Sequence, residues 1–216
     1  MTTARDTIFT QIRHSLGRQT ALDELTQQRL ENRLQQHSIH EQPTLQLSLR
    51  DKFIYQLEKV AGSYEQIAHE QEIPACISRY LSTQSLPAQL VMDAHLKHLA
   101  WESTFLNVAY RTAQQDDVIS VTQAFAGVAE TGSIVMLSSP ASPTTLNFLP
   151  DVHIVVLSLN DLLPHIESVW EKLRQTHANI PRTINFITGP SRTADIEQTI
   201  QLGAHGPRRL HVLLVG

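Results

Sequence analysis

The 216-residue sequence predicts an α/β domain of three layers on a largely parallel sheet, preceded by a helical arm. Three observations carry that expectation. Short runs rich in Val, Ile and Leu recur through the chain and alternate with helical stretches. One of them, Val152-His153-Ile154-Val155-Val156-Leu157, is almost continuously apolar, as a strand buried on both faces would be. The strongest helical periodicity, from about Asn160 to Thr176, lies between two such runs, and strand, helix, strand in that order implies a right-handed crossover.

The arm comes first, as residues 1–45. Ile8, Ile12 and Leu16 recur every four residues and draw one apolar stripe, which Gly17 closes as a C-terminal cap. A second, polar helix runs from Leu22 to Gln36 with Leu25, Leu30 and Leu34 among Gln, Glu and Arg. Stripes this thin bury little area alone and need a partner surface. That surface is either the chain's own domain or a second copy, making a homo-oligomer through the arm. Pro43 marks the boundary with the main domain, 46–216.

The main domain opens on a helix capped by Ser48, with Asp51 three residues on. Ile54, Leu57 and Ala61 share its inner face and Gly62 stops it. Tyr64 to His69 reads as a weak strand, and Ile73 to Leu81 as a helix with Pro74 in its first turn. Leu90 to Met92 is a strand and His95 to Trp101 a short helix. The clearer strands are Val118 to Thr122, Ser133 to Leu137, Val152 to Leu157, Thr183 to Ile187 and Leu210 to Val215. In the helix from Asn160 to Thr176, Leu163, Ile166, Val169, Trp170 and Leu173 form the buried stripe. Glu167, Glu171, Lys172 and Arg174 face water. In such an architecture the ligand site is expected in the loops beyond the strand ends.

Composition narrows the function. A hydrophobic fraction of 41% and a charged fraction of 18% are ordinary for a globular protein. The formal charge of -4, the absence of a basic run and an aromatic fraction of 6% give no support to a nucleic-acid partner. No apolar stretch approaches the roughly 18 residues of a membrane span. Met1 to Asp6 lacks the order of a secretory signal, so a cytoplasmic address is expected. Cys76 is the only cysteine, flanked by Ala75 and Ile77 as a core residue would be. This chain alone therefore offers neither a disulfide nor an all-cysteine metal or iron–sulfur site. It contains no Gly-x-Gly-x-x-Gly, no phosphate loop ending in Gly-Lys-Ser/Thr and no Gly-x-Ser-x-Gly.

The chemistry is concentrated in two small-residue segments. Ala129-Glu130-Thr131-Gly132-Ser133 places a lone carboxylate in an apolar, small-residue stretch. Such a group must be paired, solvated in a cleft or shifted in pKa. Glu130 either pairs with Arg192 or works as a general base, nucleophile or positioning carboxylate. Gly189-Pro190-Ser191-Arg192-Thr193-Ala194-Asp195 offers hydroxyls at Ser191 and Thr193 and a planar cationic fork at Arg192. Arg192 either pairs with Asp195 or takes an anion. A third segment, Gly203-Ala204-His205-Gly206-Pro207, adds an imidazole that is either a proton shuttle or a structural histidine. The candidate ligand-binding set is Glu130, Thr131, Gly132, Ser133, Gly189, Ser191, Arg192, Thr193, Asp195, His205 and Gly206, with Glu130 and His205 as catalytic candidates. His95, His98 and Glu102 could share a helical face and mimic a metal site. On a short exposed helix they are more often solvated, and no metal is expected.

These segments, with Val121-Thr122 and Leu149-Pro150-Asp151-Val152-His153, resemble in order and spacing the LUD domain of the lactate-utilisation protein C family (LutC, or YkgG-like) over roughly 117–215. The stretch Ile8-x-x-x-Ile12-Arg13-x-x-Leu16-Gly17 also looks like the start of such proteins. The resemblance implies a fold similar to the NagB/RpiA/CoA-transferase superfamily and a role in oxidising L-lactate to pyruvate. The redox cofactors, iron–sulfur clusters, would then reside on partner subunits and none in this chain. This subunit would bind a small anionic ligand; no catalytic residues carry over. The alternative is a stand-alone enzyme of the CoA-transferase-like superfamily acting on an acyl-CoA, sugar-phosphate or folate-like substrate, with Glu130 as nucleophile or base. A third reading is a regulatory or scaffolding protein with a vestigial pocket.

Overall fold

A computed structural model of the chain describes residues 3–18, 22–35, 41–194, 200–202 and 206–216. The chain divides into two compact units, 1–41 and 42–216. The first contains helices α1 (Ala4–Ser15) and α2 (Glu24–Gln35). Thr3 and Asp6 close a reciprocal capping box at the start of α1. At its end the Arg18 N–H reaches the Arg13 carbonyl and the Gly17 N–H the His14 carbonyl, which satisfies the last turn. The stripe of α1 consists of Ile8, Phe9, Ile12 and Leu16, all exposed.

The second unit runs α3 (Leu49–Lys59), β1 (Ser63–Ile67), α4 (Ile73–Thr83), β2 (Gln89–Met92), β3 (Asn107–Ala109), β4 (Ile119–Gln123), β5 (Ala126–Val128), β6 (Ser133–Leu137), α5 (Thr145–Phe148), β7 (Val152–Ser158), β8 (Leu162–Leu163), α6 (Ile166–Thr176), β9 (Ile184–Ile187), β10 (Arg192–Ala194), β11 (Ile200–Leu202) and β12 (Arg209–Val215). Six strands form a sheet in the order β1-β12-β7-β4-β2-β3, and every pair in it is parallel. A four-stranded sheet, β8-β5-β6-β9, is mostly antiparallel, and β10 pairs with β11 as an antiparallel hairpin.

Alternation along β7 explains the layers. Val152, Ile154 and Val156 point to one face, where Ile73, Ile77 and Leu81 of α4 pack among Leu90, Met92, Ile119 and Leu213. Val155 and Leu157 point to the other, against Phe53 and Leu57 of α3 and against Ile134 and Met136 of β6. Val169 of α6 then covers the far face of the smaller sheet at Ala126, Val128 and Val135. The result is the expected three-layer α/β arrangement. Burial on both faces is why β7 reads as an unbroken apolar run.

Several elements differ from the sequence reading. Residues 95–101 form no single helix but two 3₁₀ turns, Ala94–His98 and Trp101–Ser103; the Trp101 indole N–H donates to the Leu96 carbonyl at 2.8 Å. The long helix begins at Ile166 rather than near Asn160, because Leu162 and Leu163 pair with β5 as a strand. Its buried residues are Val169 and Leu173, while Ile166 and Trp170 stay more than a third exposed. Lys172 does not simply face water: its ammonium donates to the Phe125 carbonyl at 2.9 Å and pairs with Asp161. The strand after this helix, β9, joins the smaller sheet antiparallel to β6, so α6 is not a crossover within the parallel sheet. Ala61 lies outside α3, in the left-handed conformation at φ +65, and the Gly62 N–H returns to the Leu57 carbonyl.

Candidate functional site

The two motif segments meet on the last turns of α3. Gly132 has φ +69, and a β-carbon there would lie 2.7 Å from the Leu57 amide nitrogen. Gly189 has φ +84, and its β-carbon would lie 2.8 Å from the Val60 carbonyl oxygen. Both glycines are therefore required by a left-handed turn laid directly on helix backbone. The Gln56 side-chain amide fixes the first turn by donating to the Glu130 carbonyl at 2.6 Å.

Hydroxyls join the two segments. Ser133 Oγ lies 2.7 Å from Thr131 Oγ1 and 2.6 Å from Thr188 Oγ1, a relay of three hydroxyls ending next to Gly189. The third segment closes on the second. The Ser191 N–H donates to the Pro207 carbonyl at 2.8 Å, and a β-carbon on Gly206 would lie 3.2 Å from that of Ser191. This internal bond uses the Ser191 N–H and leaves its hydroxyl on the wall of the segment.

Glu130 does not pair with Arg192 but with a residue the sequence reading left out. Its Oε2 lies 3.1 Å from Nδ1 of His165, and both side chains are mostly buried. The Glu130 N–H donates to the Pro164 carbonyl, so the turn and the segment before α6 are tied twice. The only sequence signal for His165 is its place immediately before the helix. Arg192 opens β10 and is exposed, and Thr193 follows in the same strand. Asp195 and His205 lie outside the described residues.

A cavity of about 240 Å³ opens between the two sheets beside these segments. Thr188, Gly189, Ser191 and Gly206 form one wall, and Asn147, His153 and Leu210 another. His153 and Leu210 are the second residues of β7 and β12, so the cavity lies at the amino ends of those parallel strands. The expected position beyond strand ends applies here only to β9, which belongs to the other sheet. Two buried polar atoms on the wall have no partner among the described residues, Asn147 Oδ1 and His153 Nδ1. His153 Nε2 is 2.7 Å from Thr122 Oγ1, and complete burial pushes the imidazole down to about 3, so the ring is neutral at pH 7.

His95, His98 and Glu102 do not converge. His95 Nδ1 meets Asp93 and His98 Nε2 meets Glu70, and no cluster of three metal-ligating side chains occurs among the described residues. No described helix is long and apolar enough to cross a membrane.

A parallel sheet backed by a smaller mixed sheet, with glycine and hydroxyl turns beside a small inter-sheet cavity, defines the class as a three-layer α/β domain. Residues 92–215, more than half of the chain and all three motif segments, match the LUD domain, and the chain belongs to that family. It is 34% identical over 118 residues to lactate utilization protein C of Halalkalibacterium halodurans, covering 53% of this chain and 51% of that one. The same-named protein of Bacillus subtilis is 31% identical over 118 residues, 53% and 49% of the two chains. The uncharacterized protein YkgG of Escherichia coli is 34% identical over 100 residues, 45% and 43%. The chain spans about half the length of the curated relatives it matches. In fold it resembles the crystal structure of a DUF162 family protein from Deinococcus radiodurans, with a TM-score of 0.58 at 18% identity over 81% of this chain and all of that one.

Proposed function

We propose that this protein works in L-lactate utilisation as a LutC-like subunit without a cluster of its own, and that the cavity beside Gly189 binds a small anionic ligand. The observation that carries the reading is coincidence. The segments that fold together around the cavity all fall within the domain shared with proteins named for lactate utilisation. About 240 Å³ suits a ligand of a few heavy atoms. With Thr122 donating to Nε2, His153 presents an Nδ1–H to a ligand oxygen. Arg192 does not line the cavity, but it directly follows the wall residue Ser191, and in this reading its guanidinium carries the positive charge. The hydroxyl relay from Thr131 to Thr188 links the Glu130 turn to the same wall.

Redox chemistry falls to iron–sulfur partner subunits in this reading. Cys76 is buried, and burial pushes its thiol up to about 12, which disfavours the thiolate that a cluster needs. Deleting the gene in its host is expected to abolish growth on L-lactate and leave growth on pyruvate intact. Normal lactate growth would overturn the assignment. Calorimetric titration of the purified chain with L-lactate and with pyruvate tests the cavity, and binding that is unchanged in Arg192→Ala would remove that residue from it.

A further inference from the structure

A second cavity, about 530 Å³, lies at the opposite end of the parallel sheet and shares no wall residue with the first. It opens where β2 and β4 end, at Asp93 and at Gln123 and Ala124. Crevices outside the carboxyl ends of parallel strands are where α/β sheets bind ligands. The floor is rigid: the Asp93 N–H donates to the Val121 carbonyl at 2.9 Å, and the Ala94 N–H to the Ala141 carbonyl at 3.0 Å.

Asp93 is wholly buried. Its Oδ1 accepts from the His95 N–H at 2.8 Å and lies 2.7 Å from His95 Nδ1, while Oδ2 has no partner among the described residues. A buried carboxylate oxygen without a donor is costly, and a ligand donor would satisfy it. In the neutral ring, with Nδ1–H donating to Asp93, Nε2 is an acceptor as well. The site thus offers two acceptors, one at each end of the hydrogen-bonded Asp93–His95 pair. Ser138, Ser139 and Ser142 add hydroxyls, and Phe125, Ile180 and Pro181 add apolar wall. No Lys or Arg lines the cavity, and the Asp93 carboxyl in its wall disfavours an anion.

We propose that this cavity binds the ring of a sugar through its hydroxyls, one donating to Asp93 Oδ2 and another to His95 Nε2. Donor-rich, uncharged and amphipathic, a furanose or pyranose ring matches two acceptors, a serine rim and an apolar wall. Its source is either a nucleoside or a free hexose.

Adenosine and D-glucose, titrated separately into the full chain and followed by NMR of the histidine rings and Phe125, distinguish the two. Saturable shifts at His95 and Phe125 with one or both probes are expected, together with the Nδ1–H tautomer of His95. Asp93→Asn should weaken binding about tenfold or more, the loss of a hydrogen bond to a charged group. His95→Ala guards against misfolding of that variant, because its side chain is 54% exposed, and it should weaken binding about as much. Absence of saturation by either probe would overturn the proposal. So would binding unchanged in His95→Ala, or saturation by methylammonium in place of the sugars.

Discussion

The two cavities sit at opposite ends of the same parallel strands and differ in what their residues leave unsatisfied. At the amino ends, beside Gly189, the glycines are consumed by close packing on α3, and the hydroxyls of Thr131, Ser133 and Thr188 bond to one another. What remains open there is deeper, at His153 and Asn147. At the carboxyl ends, a single buried aspartate holds one histidine and keeps an oxygen spare. Small residues in an unusual string therefore report first on backbone approach. A buried polar atom without a partner reports on a ligand.

The largest expected effect tests the packing half of that contrast. Gly132→Ala places a β-carbon against the Leu57 amide in a left-handed turn, so neither the backbone nor its neighbour can relax cheaply. A loss of about 2–4 kcal/mol in urea denaturation is expected from strain plus overpacking. Gly206→Ala, which meets only a side-chain carbon at 3.2 Å and has no positive φ, should cost under about 1 kcal/mol. Equal costs would remove the distinction between the two glycines.

Acid tests the buried imidazoles. His153 is pushed down to about 3 and His211, stacked on Tyr80, to about 4, both by burial. The unfolded chain, with ordinary histidines near 6.5, binds more protons than the native state between these values. Stability is therefore full above about pH 6.5 and falls on acidification, by about 1.4 kcal/mol per pH unit for each histidine until its folded pKa is reached. Denaturation midpoints at pH 7 and pH 5 should separate in the wild type and draw together in His153→Gln. An unchanged separation would mean that His153 is protonated in the native state.

A smaller effect on stability is expected at Glu130. Glu130→Gln removes a partly exposed pair with His165 and should cost about 1 kcal/mol or less. If the Glu130 turn serves the proposed lactate function, complementation of growth on L-lactate should fail although the protein remains folded. Full complementation by a folded variant would make the pair structural.

The frame of the fold was legible because its causes are local. Ser48 and Asp51 cap α3 as their spacing implies, and Ser133–Leu137 is a strand with the expected bounds. What was illegible depends on distant contacts. Ala126-Gly127-Val128 has no apolar alternation to announce it, and becomes β5 only between β6 and β8. Leu162 and Leu163 fit a helical stripe equally well until β5 claims them. The motif segments themselves could be recognised, but not their roles. Glu130 faces His165 across a sequence separation of 35 residues, and the partner of Asp93 is two residues away in a stretch that looked helical. A wholly buried aspartate carries no mark in sequence, since only the surrounding layers make it so.

The smallest expected effect separates two neighbouring histidines. His95 and His98 lie on one 3₁₀ turn and each meets a carboxylate, yet the carboxylates differ: Asp93 is wholly buried, whereas Glu70 is 42% exposed. His98→Ala breaks a solvent-screened pair, 3.0 Å from Nε2 to Glu70, and an exposed bond from Nδ1 to the His95 carbonyl at 2.9 Å, and should change stability by under about 1 kcal/mol. It should leave adenosine and glucose titrations unaltered, because His98 lines no part of the cavity. His95→Ala removes the ring that Asp93 orients and should be felt in those titrations. If His98→Ala weakens binding as much as His95→Ala, the turn as a whole matters rather than its buried carboxylate, and the contrast between the two ends of the sheet loses its basis.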